Sequence, residues 1–194
     1  LVTRENIADG RAQAVICNSG IANTCASDGI ETATGMCQLA AQALLISEND
    51  IVVASTGVIG PSLPLEPIGA HMGELVAELS LEGSEDAATA IMTTDTVKKE
   101  VAVSFAVNGT ECKIGGIAKG SGMIHPNMAT MLVFVTTDCN ISPEMLQKAL
   151  SADVVDSFNM ISVDGDTSTN DMVTVLANGM AGNAQITEEG PAFT

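Results

Sequence analysis

Residues 116–132 read GIAKGSGMIHPNMATML, and they are the most informative stretch of this 194-residue chain. Lys119 lies between glycines, eleven residues before Thr130, and the apolar run MLVFV follows the threonine directly. If the bond between Ala129 and Thr130 is cut, Thr130 gains a free α-amine beside its hydroxyl, which pairs a nucleophile with a base. The ordinary pKa of an α-amine suits proton transfer near neutral pH. Thr130 is therefore either an ordinary strand residue or a hidden N-terminal nucleophile.

Outward from this stretch, strand-like and helical segments alternate. The predicted strands are 12–17, 50–55, 100–107, 111–117, 131–136 and 160–163. The predicted helices are 31–45, 66–79, 85–92 with Ser84 as its cap, and 143–155 with Ser142 as its cap. Asn108-Gly109 predicts a hairpin turn, and 171–176 suits either a strand or a helix. The alternation predicts an α/β (α+β) class, and without a visible linker or repeat we expect a single domain over 1–194.

The composition predicts a folded protein with an aliphatic core. Hydrophobic residues make up 46% of the chain, which has four Phe and neither Trp nor Tyr. The formal net charge of −17, from 24 acidic and 7 basic residues, disfavours nucleic acid and anionic membranes as partners. It would attract a cationic substrate such as a diamino acid, although an acidic surface usually serves solubility.

Cysteine usage and the N-terminus suggest a cytoplasmic location. The five cysteines are odd in number and form no CxxC pair, so we expect reduced thiols. We find neither a signal peptide nor an apolar run of about 18 residues that would span a membrane. Because the chain begins with Leu1 rather than Met, we expect a fragment.

Three familiar ligand-binding patterns are incomplete. In 115–121 the lysine precedes the second glycine, whereas a phosphate-binding loop has it after that glycine. The acidic segment 164–171 resembles a calcium loop but lacks its sixth-position glycine, and Val175 replaces its bidentate glutamate. The two histidines are far apart in sequence, so no set of zinc ligands is visible. We therefore predict no metal and no nucleotide cofactor, and we interpret the acidic side chains as loop-forming.

Five motifs, taken together, closely resemble the ornithine acetyltransferase family. Its members are also called glutamate N-acetyltransferases or bifunctional arginine-biosynthesis proteins. The resemblance covers nearly all of the chain, with the motifs in the family's order. They are NSGIAN (18–23), ASTGVIG (54–60), MTTDT (92–96), the segment 119–130, and VDGDTSTND (163–171).

The resemblance implies a precursor that cleaves itself between Ala129 and Thr130. Residues 1–129 would then be the α-chain portion and 130–194 the β-chain portion, with Thr130 as the N-terminal nucleophile. The implied fold is an α/β/β/α sandwich like that of self-processing aminopeptidases. The implied assembly is a heterotetramer of two α and two β chains.

The resemblance also implies roles for four other residues. Thr56 and Gly57 match the oxyanion-hole pair, while Thr93 and Lys119, with Thr130, match substrate-binding positions. The residue types suit these roles, because a hydroxyl and a backbone N–H can stabilise an oxyanion and an ammonium can bind a carboxylate. Each residue type also has an ordinary interpretation as a turn, a helix end or a solvated charge.

The implied activity is transfer of the acetyl group of N-acetylornithine to glutamate through an acetyl-threonine intermediate, as a step of arginine biosynthesis. No cofactor is implied, and the use of acetyl-CoA as a second donor stays open. One alternative is an autoprocessed aminopeptidase or amidase of similar fold, which would pass the acyl group to water. Another is an inactive fragment or a non-catalytic domain.

Family members are about twice as long, so residues that close their pocket would lie beyond Thr194. We interpret His125 as structural.

Overall fold

The computed structural model describes residues 1–122, 131–166 and 169–193. They belong to two compact units, Leu1–Thr93 and Thr94–Thr194. The first unit contains helices α1 to α4 and strands β1 and β2. In chain order these are α1 Val2–Asn6, β1 Ala14–Asn18, α2 Gly29–Leu44, β2 Ile51–Ser55, α3 Leu65–Ala77 and α4 Ser84–Ala90.

The first unit is built on a parallel strand pair with α2 packed against it. Strands β1 and β2 are in register from Ala14 beside Ile51 to Asn18 beside Ser55. The inward face of α2 carries Met36, which is 1% exposed and packs in one cluster with residues of β2 and α3. Burial of such a side chain contributes roughly 1.5–3 kcal/mol to stability. Because β1 and β2 pair in register up to their last residues, the two strands end side by side, and the loops 18–22 and 56–58 begin there.

Helix α1, which the sequence did not predict, supplies side chains to β2. Thr3 Oγ1 donates to the carbonyl of Val53 at 2.7 Å and accepts from its N–H at 3.0 Å. Asn6 Nδ2 donates to the carbonyl of Ile51 at 2.9 Å. These contacts satisfy backbone groups that a further strand would otherwise pair, so they close one edge of β2.

The second unit contains a four-stranded sheet and one long helix. The strands are β3 Lys99–Val107, β4 Thr110–Lys119, β5 Leu132–Thr137 and β6 Met172–Ala177, and the helix is α5 Pro143–Asp156. The order β3-β4-β5-β6 has two antiparallel pairs followed by a parallel one. The β3–β4 turn has left-handed φ angles of 48° at Asn108 and 84° at Gly109, as its sequence predicted. Ser142 caps α5 by accepting the N–H of Met145.

Mixed helices and strands confirm the predicted α/β (α+β) class. Two local predictions were wrong. The N-cap of α4 is Gly83, with Ser84 inside the helix. The strand expected at 160–163 is not formed: Met160 ends a short 3₁₀ helix, Phe158–Met160, and of the next three residues only Val163 makes a β-bridge. Residues 171–176 correspond to β6, a strand. Among the described helices, none has the length and apolar character needed to cross a bilayer.

Candidate active site

The predicted oxyanion pair follows directly on β2. Thr56 is 1% exposed, and its N–H donates to the carbonyl of Asn18 at 2.9 Å. Gly57 then turns with a φ of +125° and is exposed. Its N–H donates to no group among the residues that the structure describes. The turn thus presents a backbone donor next to an enclosed threonine at the end of a strand.

Only glycine fits at position 57. A Cβ there would lie 2.2 Å from the carbonyl oxygen of Gly20 and 2.9 Å from the nitrogen of Ile21. The same Gly20 carbonyl accepts the N–H of Val58 at 3.0 Å. The two loops therefore touch through their backbones, which requires a residue without a side chain.

Asn18 holds the partner loop in place. Its Oδ1 accepts the N–H of Gly20 at 3.1 Å, and its Nδ2 donates to the carbonyl of Ile21 at 2.5 Å. Asn18 begins the NSGIAN motif, but the sequence alone led to no role for it. The signal was available, because Asn before Ser-Gly is a typical loop-closing residue.

Lys119 is the last residue of β4 and is 3% exposed. A lysine is rarely so enclosed unless its charge has a partner, so the ordinary interpretation as a solvated charge does not fit. It pairs in register with Leu132 of β5. Lys119 and Met131, the first described residue after Thr130, therefore lie at the same end of the sheet.

Asp95 fixes the backbone that follows Lys119. Its Oδ1 accepts the N–H of Gly120 at 2.8 Å and lies 2.5 Å from Lys99 Nζ. The Asp95 side chain is fully buried. Beside it, Thr94 Oγ1 and Ser121 Oγ are 2.7 Å apart, so a second contact joins the same two segments. Asp95 lies in the MTTDT motif but went unassigned, because nothing in the sequence shows that it meets a segment 25 residues away.

Thr93 is exposed and follows the end of α4 at Ala90 by three residues. It is therefore not the helix C-terminal residue of the ordinary interpretation. Ala129, Thr130 and His125 fall outside the described residues. The boundary predicted between 1–129 and 130–194 falls there too.

Both the N–H and the carbonyl of Met131 are hydrogen-bonded. Its N–H donates to Asp171 Oδ1 at 3.0 Å, and its carbonyl accepts the N–H of Met172 at 3.0 Å. Met131 is 7% exposed, and the β5–β6 pairing begins at the next residue, Leu132, beside Met172. The acidic loop was expected to bond to backbone. Asp171 does so with a segment 40 residues away, whereas Asp164 bonds locally, to the N–H of Asp166 at 3.4 Å.

Metal-ligand clusters are absent from the described ranges, and the lining of an apolar groove in the second unit does not include the predicted residues. No group of three or more His, Cys, Asp or Glu side chains there could hold a metal ion. An apolar groove of about 610 Å³ runs between α5 and one sheet face of the second unit. Val101, Val135 and Val175 line its floor, and Lys119 does not.

Three kinds of comparison give the same result. The model of the ArgJ family matches residues 1–194. The arginine biosynthesis bifunctional protein ArgJ of Symbiobacterium thermophilum is 54% identical over 96% of this chain and 46% of its own length. The protein of the same name from Halalkalibacterium halodurans is 52% identical over 98% of this chain and 47% of its own length. The chain thus spans about half the length of these relatives.

Two solved structures are similar in fold. One is the arginine biosynthesis bifunctional protein ArgJ of Bacillus halodurans, with 44% identity and a TM-score of 0.59 over 66% of this chain and 68% of that one. The other is an ornithine acetyltransferase complexed with ornithine from Mycobacterium tuberculosis. It has 36% identity and a TM-score of 0.59 over 65% of this chain and 68% of that one.

Proposed function

Because the chain belongs to the ArgJ family, we propose that the complete protein transfers the acetyl group of N-acetylornithine to glutamate in arginine biosynthesis. The observation that carries this proposal is the shared end of β4 and β5, where Lys119 pairs with Leu132, the second residue after Thr130. A similar protein is an ornithine acetyltransferase solved with ornithine, which supports the substrate class. The net charge of −17 favours the approach of a cationic diamino acid.

Maturation is proposed to precede catalysis. The Thr130 hydroxyl attacks the carbonyl carbon of Ala129, the C–N bond breaks, and the nitrogen takes a proton to become the α-amine. Water then hydrolyses the resulting ester. The products are a carboxylate on Ala129, which ends the portion 1–129, and a threonine with a free amine, which begins the portion 130–194.

Turnover uses the same hydroxyl. Thr130 attacks the acetyl carbonyl of N-acetylornithine, and its α-amine takes the hydroxyl proton and passes it to the departing ornithine amine. The acetyl-threonine ester is then attacked by the amine of glutamate, and the proton returns to the threonine oxygen. Acetyl and protons balance without a metal or a redox cofactor.

Thr56 and Gly57 are proposed to stabilise the oxyanion of each tetrahedral intermediate. The N–H of Gly57 supports this role, since it donates to no described group and its residue is fixed by contact with Gly20. Loss of one such donor typically costs about 100- to 1000-fold in rate. Fixed donors are effective because they need no reorganisation when the charge develops.

Lys119, with Thr93, is proposed to bind substrate, its ammonium meeting an amino-acid carboxylate. The enclosure of Lys119 supports this, because a charge contact strengthens where water is excluded. Acetyl-CoA is proposed as a second acetyl donor of the complete protein, in line with the resemblance to bifunctional arginine-biosynthesis proteins. We further propose an α2β2 assembly and a cytoplasmic location.

The test is an isotope-transfer assay on the complete protein. With N-acetylornithine labelled in its acetyl group, we expect labelled N-acetylglutamate only when glutamate is present. Released labelled acetate without N-acetylglutamate would instead indicate an amidase. Thr130→Ala should abolish both transfer and the two fragments seen by intact-mass analysis. Thr136→Ala, an exposed threonine of β5, is the matched control and should behave like the parent.

A further inference from the structure

Asp171 is the described side chain that holds the backbone immediately after Thr130. Its Oδ1 lies 3.0 Å from the nitrogen of Met131. That nitrogen belongs to the peptide bond joining residues 130 and 131, so Asp171 holds the bond through which the nucleophile is attached to β5. We propose that Asp171 is a positioning residue for Thr130, both in self-cleavage and in acetyl transfer. This rests on the function proposed above.

The contact is well placed for that role. The next residue, Met172, donates its N–H to the carbonyl of Met131 at 3.0 Å. Consecutive residues 171 and 172 therefore hold both the donor and the acceptor of Met131, and the regular β5–β6 ladder begins only beyond it. Met131 is 7% exposed, so water does not readily replace either bond.

A carboxylate gives this anchor more strength than a neutral acceptor. Hydrogen bonds with an ionised partner are shorter and roughly twice as strong as neutral ones. Because the peptide unit is planar, an anchor on its N–H also limits its rotation. A nucleophile displaced by about 1 Å can lose about 100-fold in rate, so the orientation of this single peptide matters.

The experiment compares Asp171→Ala and Asp171→Asn in the complete protein. The Ala variant removes the acceptor, whereas the Asn variant keeps an oxygen able to accept the Met131 N–H. For D171A we expect slower self-cleavage after pulse labelling, followed by mass analysis. In its processed fraction we expect a kcat lower by about 10- to 100-fold and a KM for N-acetylornithine nearly unchanged. D171N keeps an acceptor without the charge, so its losses should be clearly smaller than those of D171A.

Asp166→Ala is the matched control, since Asp166 is an exposed carboxylate of the same loop and only its backbone N–H has a described hydrogen bond. A D171A protein that is cleaved and turns over like D166A would overturn the proposal, and so would a D171N protein as impaired as D171A. If D171A does not fold, Asp171→Leu, which keeps the branch at Cγ but is larger, removes the acceptor and takes its place. Thr130→Ala, run in parallel, separates the two hypotheses. An active T130A refutes the function, whereas an inactive T130A with a normal D171A refutes the positioning role alone.

Discussion

Gly57 and Gly20 meet backbone to backbone, with the carbonyl oxygen of Gly20 only 2.2 Å from where a Cβ on Gly57 would lie. This contact seats the turn that carries the proposed oxyanion donor. It also explains why position 57 requires glycine, whereas a Cβ on Gly20 would meet only Asn18 Oδ1, at 3.5 Å.

Gly57→Ala should therefore impair activity strongly. The substitution introduces both a backbone clash and a side chain at a φ of +125°, which costs about 1–3 kcal/mol in strain alone. We expect kcat to fall by about 100-fold or more because the N–H at 57 moves. Steady-state kinetics and a thermal melt measure the two effects.

Gly60→Ala is the control for strain without a clash, since Gly60 has a φ of +111° and a Cβ placed there would meet nothing within 4 Å. It should lower the melting temperature modestly and leave kcat almost unchanged. Equal kinetic losses in G57A and G60A would contradict the role given to the Gly20 contact.

Lys119→Ala should weaken substrate binding. If the ammonium contacts a substrate carboxylate, its removal costs about 1.5–3 kcal/mol, which corresponds to a rise of about 10- to 150-fold in KM for N-acetylornithine. Lys113→Ala removes an exposed lysine from the same strand and should have no such effect. A K119A protein with the KM of K113A would show that Lys119 binds no substrate.

Asp95→Ala should destabilise the segment after Lys119. The Gly120 N–H, which is buried, would lose its acceptor, and the cost is about 1–3 kcal/mol in the free energy of unfolding. Asp95→Asn keeps an oxygen for Gly120 but loses the charge beside Lys99, whose side chain is 45% exposed. Denaturant unfolding should therefore rank the proteins parent, D95N, D95A in falling stability. The reverse order of the two variants would exclude the Gly120 bond as the main contribution.

Local sequence patterns were sufficient to predict much of the fold. The Asn108-Gly109 turn and the Ser142 cap follow from short-range backbone preferences, and both are confirmed. The α1 helix was missed because its Thr3 and Asn6 contacts are with a strand more than 40 residues away. Strand 160–163 was wrongly predicted since short apolar runs do not distinguish a strand from a single helical turn.

The same difference between local and long-range signals decides which residues of the candidate site could be predicted. Gly57 and Lys119 could be selected because motifs name residue types at fixed spacing. Asp95 and Asp171 could not be selected, since each acts on a backbone group 25 or 40 residues away that only the folded chain brings near. Positioning residues depend on tertiary pairing, whereas a single sequence shows only local order. The role of Thr130 stays a prediction.

Cys139 provides a prediction on pH. Burial, reinforced by the neighbouring Cys112, raises the pKa of Cys139 from its ordinary 9.0 to about 11. The folded state thus favours the neutral thiol, so this contribution to stability is present below pH 9 and is lost as pH rises from 9 towards 11. Cys139→Ala should flatten that part of the stability curve in denaturant titrations.

The environment of Cys139 also predicts its reactivity. At about pH 8 an alkylating reagent should modify the exposed Cys25 long before Cys139, because the thiolate is the reactive form; mass analysis measures the two rates. Equal alkylation rates at the two cysteines would contradict the enclosed environment of Cys139.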